Sequence, residues 1–404
     1  MRMTTILELS RYERLVQREL LRRIGYTNGL HDIYRFARVV EYLYPRIPST
    51  QPVLRSVIIK EETESGLSKI SGNDYVQGII DVAGVLLLIE KAGQKLTLSD
   101  RGYALHALEQ QNLRETYRRA FLLMSVLDAD GEYFLNLLDM LVQGVTEIMA
   151  LGRRLLDNRM MKIIDLKEQW GKFYIASSIV RNTVLTDLQK AREGLKDAMD
   201  PRRKVLRKSR ATLEERQLTP DQRVERFLEH TITPRLGWLV DLGCAKKDDN
   251  GHLVVTELGQ QLLGFFKDFG CLRERVYVLP VSPWLAKILD AKNLADTPDL
   301  FWRAVATTLV GRVEACRYQG RVLLDRIKSI YPHVKLYGFN QAEISSVFHV
   351  LSCMESMRGK YIQEDRFDED IESLVKDFPK EIFRLSKRRG RGGYIALKKQ
   401  NEQG

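Results

Sequence analysis

The stretch LTLSDRGYAL, residues 96–105, decides the fold that this sequence predicts. It follows GVLLLIEKAG (84–93), whose apolar runs and Ala92-Gly93 turn predict two short strands of a hairpin. Ser99 is a residue type that caps a helix N-terminus, and Asp100 favours the first helical turn. We therefore predict a hairpin whose second strand leads directly into a capped helix.

The residues before this hairpin predict three helices. His31–Tyr44 has helically spaced apolar residues, and Pro45 ends the pattern. A short apolar segment follows at 53–59, and a third helix is predicted to begin near Asn73. The resulting order is helix, helix, helix, two-stranded wing, helix.

This order, together with Leu96-Thr97-Leu98-Ser99-Asp100-Arg101-Gly102, resembles the winged helix-turn-helix superfamily, many of whose regulators end in "LTxxG". An internal copy supports the resemblance. LVVTELGQQL at 253–262 aligns without gaps to LTLSDRGYAL, and a hairpin turning at Asp249-Asn250-Gly251 precedes it. The resemblance implies modules that bind DNA or dock on proteins.

A third copy remains open at the C-terminal end. Residues 321–331, 340–357 and 368–377 predict three helices, and IFRLSKRRGRGGYIALKK (382–399) predicts two strands around a basic, glycine-rich loop. The "LTxxG" ending is missing there.

These patterns predict a mainly α protein with small β wings, in which a helical bundle joins tandem winged-helix domains. We expect an N-terminal winged helix at 1–107 and a helical middle region at 108–200. A second winged helix with a basic lead-in is expected at 201–270. A C-terminal helical domain with a possible third winged helix and a basic wing is expected at 271–404.

The charge balance favours an anionic partner. Lys and Arg number 64 against 53 acidic residues, which gives a formal net charge of +11. The N-terminal segment lacks the apolar core of a signal peptide, and no apolar run reaches the roughly 18 residues of a membrane span. We expect a cytoplasmic protein, nucleoid-associated as one option, with no membrane contact.

No motif for catalysis, metal or cofactor binding stands out. The cysteines, Cys244, Cys271, Cys316 and Cys353, lack CxxC spacing, the six histidines lack ligand spacing, and no P-loop is present. Asp290-Ala291-Lys292 has residue types of a nuclease core but lies in a helical pattern. We expect no enzyme, no metal and no cofactor.

The candidate DNA contacts are cations and amides on the predicted helices, wings and basic clusters. Clustered Lys and Arg displace counterions from phosphates, and Asn or Gln can read adenine edges. The candidates are Asn73, Tyr75, Gln77, Lys95, Arg202, Arg203, Lys204, Arg207, Lys208, Arg235, Lys246, Lys247, Lys387, Arg388, Arg389 and Arg391.

Three functions remain open. The first is a multi-winged-helix protein that binds double-stranded DNA, as the recognition or adaptor subunit of a prokaryotic DNA-processing or genome-defence assembly. Such a subunit would have an ATPase or nuclease protein partner and could form oligomers. The second is a scaffold whose layout resembles kleisin-type subunits, with winged helices that dock on an ATPase. The third is a diverged nuclease within 270–340.

Overall fold

The computed structural model describes residues 30–66, 73–110, 115–152, 154, 220–268, 306–307, 309, 311–335, 339–385 and 393–398. These parts are mainly helical, with a few small sheets. The chain divides into two compact units. Unit 1 contains residues 1–33 and 125–296, and unit 2 contains residues 34–124 and 297–404. In the described ranges, no helix combines the length and apolar character that a bilayer crossing requires.

The N-terminal half of unit 2 contains the three helices and the hairpin that the sequence predicts. A 3₁₀ turn at Tyr44–Arg46 follows the first helix. The elements are α1 (Tyr34–Leu43), β1 (Ser49–Thr50), α2 (Gln51–Glu64), α3 (Asn73–Val85), β2 (Ile89–Ala92), β3 (Lys95–Leu98) and α4 (Asp100–Gln110). The sheet order is β1-β3-β2, with both pairs antiparallel.

The apolar spacing in the sequence builds the core of this half. Phe36, Val39, Val40 and Leu43 of α1 are fully buried, as their helical stripe predicts. The turn of the hairpin is Gly93-Gln94, because Ala92 already pairs with Lys95. The sequence pattern predicts this turn one residue earlier, at Ala92-Gly93.

The C-terminal half of unit 2 contains the helices and the two strands predicted for 321–399. A short parallel pair, β6 with β8, is additional. Elements are numbered in chain order, and α5–α7, β4 and β5 are described with unit 1 below. The elements of this half are β6 (Glu314–Cys316), α8 (Gly320–Val334), β7 (Ala342–Glu343), α9 (Ile344–Met357), β8 (Lys360–Ile362), α10 (Glu364–Asp377), β9 (Ile382–Leu385) and β10 (Tyr394–Leu397). The sheet order β7-β10-β9 places the first strand beside the last.

The two halves of unit 2 pack together through α4. This helix contacts α1 and β3 of its own half, and α8 and α9 of the C-terminal half. Its residues Ala104, Leu105, Ala107 and Leu108 are therefore buried on several sides. The β2–β3 and β9–β10 hairpins consequently belong to one compact unit.

Unit 1 contains most of α5 (Glu115–Val142), within which the boundary between the units falls, followed by a helix, a hairpin and a helix. These elements are α6 (Pro220–Asp241), β4 (Ala245–Lys247), β5 (Leu253–Val255) and α7 (Glu257–Asp268). Trp238 of α6 is fully buried, and its indole N–H donates to the carbonyl of Leu30 at 2.7 Å.

Candidate nucleic-acid interface

The helix-to-hairpin junctions at 84–88 and 240–244 have the same backbone geometry. Leu88 N donates to Ala83 O at 2.9 Å, and Cys244 N donates to Leu239 O at 2.8 Å. The residues before them, Leu87 and Gly243, have φ of 56° and 74°. Each helix thus ends in a left-handed cap of the Schellman type, which turns the chain into its hairpin.

The junctions from hairpin to helix also match. The Ser99 hydroxyl donates to Leu87 O, and the Thr256 hydroxyl donates to Gly243 O at 2.7 Å. Each hydroxyl also accepts a backbone N–H three residues later, at 3.1 Å from Gly102 N and 3.3 Å from Gly259 N. The predicted cap at Ser99 is present, and the sequence match between 96–105 and 253–262 extends to hydrogen bonding.

The glycine of the repeated pattern is required by a close backbone approach. A Cβ on Gly102 would overlap the carbonyl oxygen of Leu88, and a Cβ on Gly259 would overlap that of Cys244. The closing helix can therefore lie against the base of the hairpin only if this position lacks a side chain. This contact fixes where each hairpin projects.

The first hairpin has cations at its tip and an acid at its base. Lys95 is exposed beside the turn, and Lys91 on the opposite strand is exposed as well. At the base, burial and the nearby Asp100 and Glu343 carboxylates raise the pKa of Glu90. Phosphate would therefore be attracted to the tip and repelled from the base. Lys91 was missed by the sequence analysis, although its place two residues before Gly93 is a readable signal.

The second hairpin also has exposed cations. Lys246 and Lys247 of β4 are both exposed, as the sequence analysis expected of wing residues. The Asp248 carboxylate holds the turn, because it accepts the backbone N–H of Asn250 at 3.0 Å and of His252 at 2.7 Å. This Asx turn explains why Asp-Asp-Asn-Gly forms the predicted hairpin connection.

The third hairpin is joined by residues 386–393, whose sequence contains the predicted cations Lys387, Arg388, Arg389 and Arg391. These four residues lie outside the described residues. Arg384 on β9 precedes them, and its guanidinium binds Asp368 and Glu372 of α10, each at 2.9 Å. Arg384 therefore stabilises the hairpin on α10.

The polar side chains predicted to read bases from α3 are engaged inside unit 2. The Tyr75 hydroxyl accepts a hydrogen bond from Arg35. The Gln77 side chain accepts from Arg55 and donates to Asp81 at 2.7 Å. The side chain of Asn73 is outside the described part. These three residues remain predictions, but base reading by Tyr75 or Gln77 would compete with existing contacts.

The assignment of Arg235 to DNA contact is wrong. Its side chain is fully buried in unit 1, where its guanidinium pairs with Asp130 at 2.7 Å and donates to Thr231 O at 2.7 Å. The guanidinium also lies over the rings of Tyr133 and Trp238. A cation that is neutralised and enclosed in the core cannot reach a phosphate.

Helix α10 is strongly acidic, although it occupies in its half the place that α3 occupies in the other. Its sequence contains seven acidic and two basic residues, a formal excess of five negative charges. Glu369, Glu372 and Asp377 are exposed. Such a helix would repel a DNA groove.

The remaining predicted sites fall mostly outside the described residues. These are Arg202, Arg203, Lys204, Arg207 and Lys208, together with the nuclease-like triplet at 290–292. Among the residues that are described, no group of three or more His, Cys, Asp or Glu side chains could hold a metal ion. Cys244 and Cys353 are buried there, and Cys316 is half-buried.

Comparison with known proteins assigns no relative to this chain. No family model matches it, and neither the curated proteins nor the solved structures contain a significant match. The geometry of the hairpins and their charges are therefore the features from which a function can be inferred.

Proposed function

We propose that this is a tandem winged-helix protein that binds double-stranded DNA through the tips of its hairpins, as a recognition or adaptor subunit of a DNA-processing or genome-defence assembly. Support comes from two segments, 34–98 and 320–397. Each has the order helix, strand, helix, helix, strand, strand, except that the later segment has an extra strand, β8, between its second and third helices. In both sheets the first strand pairs with the last. The junctions between helix and hairpin at 84–102 and 240–259 match in their hydrogen bonds, which supports a related module in unit 1.

The observation that carries the proposal is the distribution of cations. Lys91, Lys95, Lys246 and Lys247 are exposed on two hairpins, and the third hairpin encloses a run of four cations in sequence. The helices provide fewer groups for DNA binding, because Tyr75 and Gln77 of α3 already form hydrogen bonds within unit 2 and α10 is acidic. We therefore propose contact with the phosphate backbone and weak discrimination between base sequences.

The test is the anisotropy of a fluorescent duplex of about 30 base pairs, titrated with full-length protein from about 50 to 300 mM salt. Each phosphate contact adds about 0.9 to the slope of log K against log salt. Lys246→Gln with Lys247→Gln should lower the slope by about 1.8, and so should Lys91→Gln with Lys95→Gln. Arg388, Arg389 and Arg391 changed together to Ala should lower it by about 2.7.

Lys60→Gln with Lys376→Gln is the matched control, because these exposed lysines lie on the helices α2 and α10 and not on a hairpin strand or turn. The control should retain the wild-type slope. An equal decrease of the salt slope in the control would indicate an effect of net charge rather than of the hairpin lysines. An absence of binding at the lowest salt would refute the proposal.

A second candidate is a docking scaffold, which the acidic surface of α10 favours. Winged helices also serve as protein-docking modules, and a negative helix suits a basic partner surface rather than DNA. Stable binding to an ATPase partner, with no duplex affinity at low salt, would establish this function instead.

A further inference from the structure

A cluster of aromatic and titratable side chains joins the two halves of unit 2. The rings of Tyr44 and His106 stack with centroids 3.7 Å apart, and His333 of α8 meets His106 edge-on at 4.9 Å. Tyr44 and His106 belong to the N-terminal half, whereas His333 belongs to the C-terminal half. We call Glu41, Tyr44, His106 and His333 the histidine clasp.

The hydrogen bonds of the clasp suit a neutral His333. Its Nδ1 lies 3.1 Å from the Tyr44 hydroxyl, which donates when Nδ1 carries no proton. Burial and the Glu41 carboxylate raise the pKa of Tyr44, so this hydroxyl keeps its proton. His106 Nδ1 lies 3.0 Å from a Glu41 carboxylate oxygen, which ties the stacked rings to α1.

We propose that the histidine clasp is a pH-sensitive contact, which holds the two halves of unit 2 together near neutral pH and releases them when His333 gains a proton. A proton on Nδ1 removes the acceptor for Tyr44. It also creates a cation at a half-buried site beside His106, the ring to which Glu41 supplies a carboxylate within hydrogen-bond distance.

The groups around the clasp define the electrostatic balance. Glu109 ion-pairs with Arg118 at 2.7 Å, and at the other end of α4 His349 lies 3.4 Å from Asp100. The charged and titratable groups that face the clasp or its helices are Glu41 from α1, Asp100, Tyr103 and Glu109 from α4, Glu115 and Arg118 from α5, Glu90 from β2, Glu343 from β7 and His349 from α9. Burial and His106 lower the pKa of His333 and so favour separation of the two halves on protonation, whereas Glu41 raises this pKa and opposes separation.

The direction of the effect follows from linkage. Burial, and secondarily His106, lower the pKa of His333 from 6.5 to about 4. A released His333 with an ordinary pKa binds protons more tightly than the closed form does. The open population is therefore smallest above pH 6.5 and increases as the pH falls toward 4. Between pH 7.5 and pH 5 the opening equilibrium should increase about 30-fold.

The test is hydrogen exchange of the full-length chain at pH 7.5 and pH 5, read by mass spectrometry and corrected for intrinsic rates. Peptides from α4 and α8 should lose protection at pH 5, while α7 and the β4–β5 hairpin of unit 1 should not. His333→Gln, whose amide oxygen can still accept from Tyr44, should abolish the pH dependence. His252→Gln, at an exposed turn of unit 1, should leave it unchanged.

A second measurement covers the case in which His333→Gln does not fold. In the wild-type protein, NMR of ¹³C-labelled histidines should show His333, assigned by its contact to Tyr44, with a pKa well below 6.5. Equal protection of α4 and α8 at both pH values would overturn the proposal. Equal opening of unit 1, or persistent opening in His333→Gln, would do the same.

Discussion

Replacement of Gly102 by alanine tests why the repeated pattern ends in glycine. The new Cβ would overlap the Leu88 carbonyl oxygen and lie 3.0 Å from its carbonyl carbon and 3.3 Å from the Leu98 Cβ. The blocking group is backbone at the base of a hairpin, so it cannot rotate away. The start of α4 must move instead.

The magnitude follows from three contributions. Overpacking of this kind costs about 1–3 kcal/mol. Movement of α4 also strains the bonds from Ser99 N to Leu88 O at 3.3 Å and from Gly102 N to the Ser99 hydroxyl at 3.1 Å, each worth about 1 kcal/mol. The better helix propensity of alanine returns about 1 kcal/mol. The net destabilisation of unit 2 is therefore about 2–4 kcal/mol.

Gly84→Ala is the matched control, because Gly84 lies in α3 and a Cβ there would meet nothing within 4 Å. This change should be neutral or stabilise the protein by about 0.5–1 kcal/mol. Unit 1 allows an equivalent pair of substitutions. Gly259→Ala should destabilise it, since the Cβ would lie 2.6 Å from Val255 Cγ1, whereas Gly264→Ala meets nothing within 4 Å.

Thermal unfolding with local hydrogen exchange is the appropriate assay, because a chain with two units need not unfold in one step. Gly102→Ala should lower the transition of unit 2 by roughly 5–10 °C and reduce protection of the β2–β3 hairpin. The reasoning would fail if Gly102→Ala and Gly84→Ala had the same stability.

Two further predictions concern the core of unit 1 and the helix ends. Arg235→Met should destabilise unit 1 by about 3–5 kcal/mol, because it leaves the Asp130 carboxylate buried without its cation. Chemical denaturation would measure this, and a loss below about 1 kcal/mol would contradict a buried ion pair. Leu87→Gly should stabilise unit 2 by up to about 1 kcal/mol, because Leu87 is held at φ 56°, whereas Gly243→Ala should cost about 1–2 kcal/mol at the equivalent position. Opposite shifts in melting temperature are expected, and shifts of the same sign would refute the equivalence.

Local chemistry made the hairpins and helix ends predictable. Gly93, Ser99 and the Asp-Asn-Gly turn each form the structure that their residue types favour, because the interactions involved span only a few residues. The predicted order of elements holds for the same reason. The glycine in the pattern could be noticed from sequence, but its cause, the Leu88 carbonyl, is a tertiary contact.

The error at Arg235 has a different origin. Its partner Asp130 lies 105 positions earlier in the chain, and no local pattern connects the two. A signal was nevertheless present, because Leu228, Ile232, Leu236 and Leu239 form an apolar stripe on α6 that includes position 235. An arginine within such a stripe is better interpreted as a buried ion-pair partner than as a surface cation.

The joining of the first and last hairpins in unit 2 was also beyond the sequence. It depends on packing of α4 against α8 and α9, helices more than 200 residues later in the chain. The histidine clasp follows from that packing. Its two histidines, His106 and His333, are far apart in the sequence, so no short histidine motif indicates the contact.

The slope of DNA binding against salt would also identify how many cations participate. The four exposed lysines on the two described hairpins account for a slope of at most about 3.6. Lys387, Arg388, Arg389 and Arg391 would raise this limit to about 7. A steeper slope would require cations beyond the hairpins, for which the cluster at 202–208 is the candidate that the sequence offers, because Arg235 is enclosed. The wild-type slope therefore distinguishes binding that the hairpin cations can account for from binding that needs further cations.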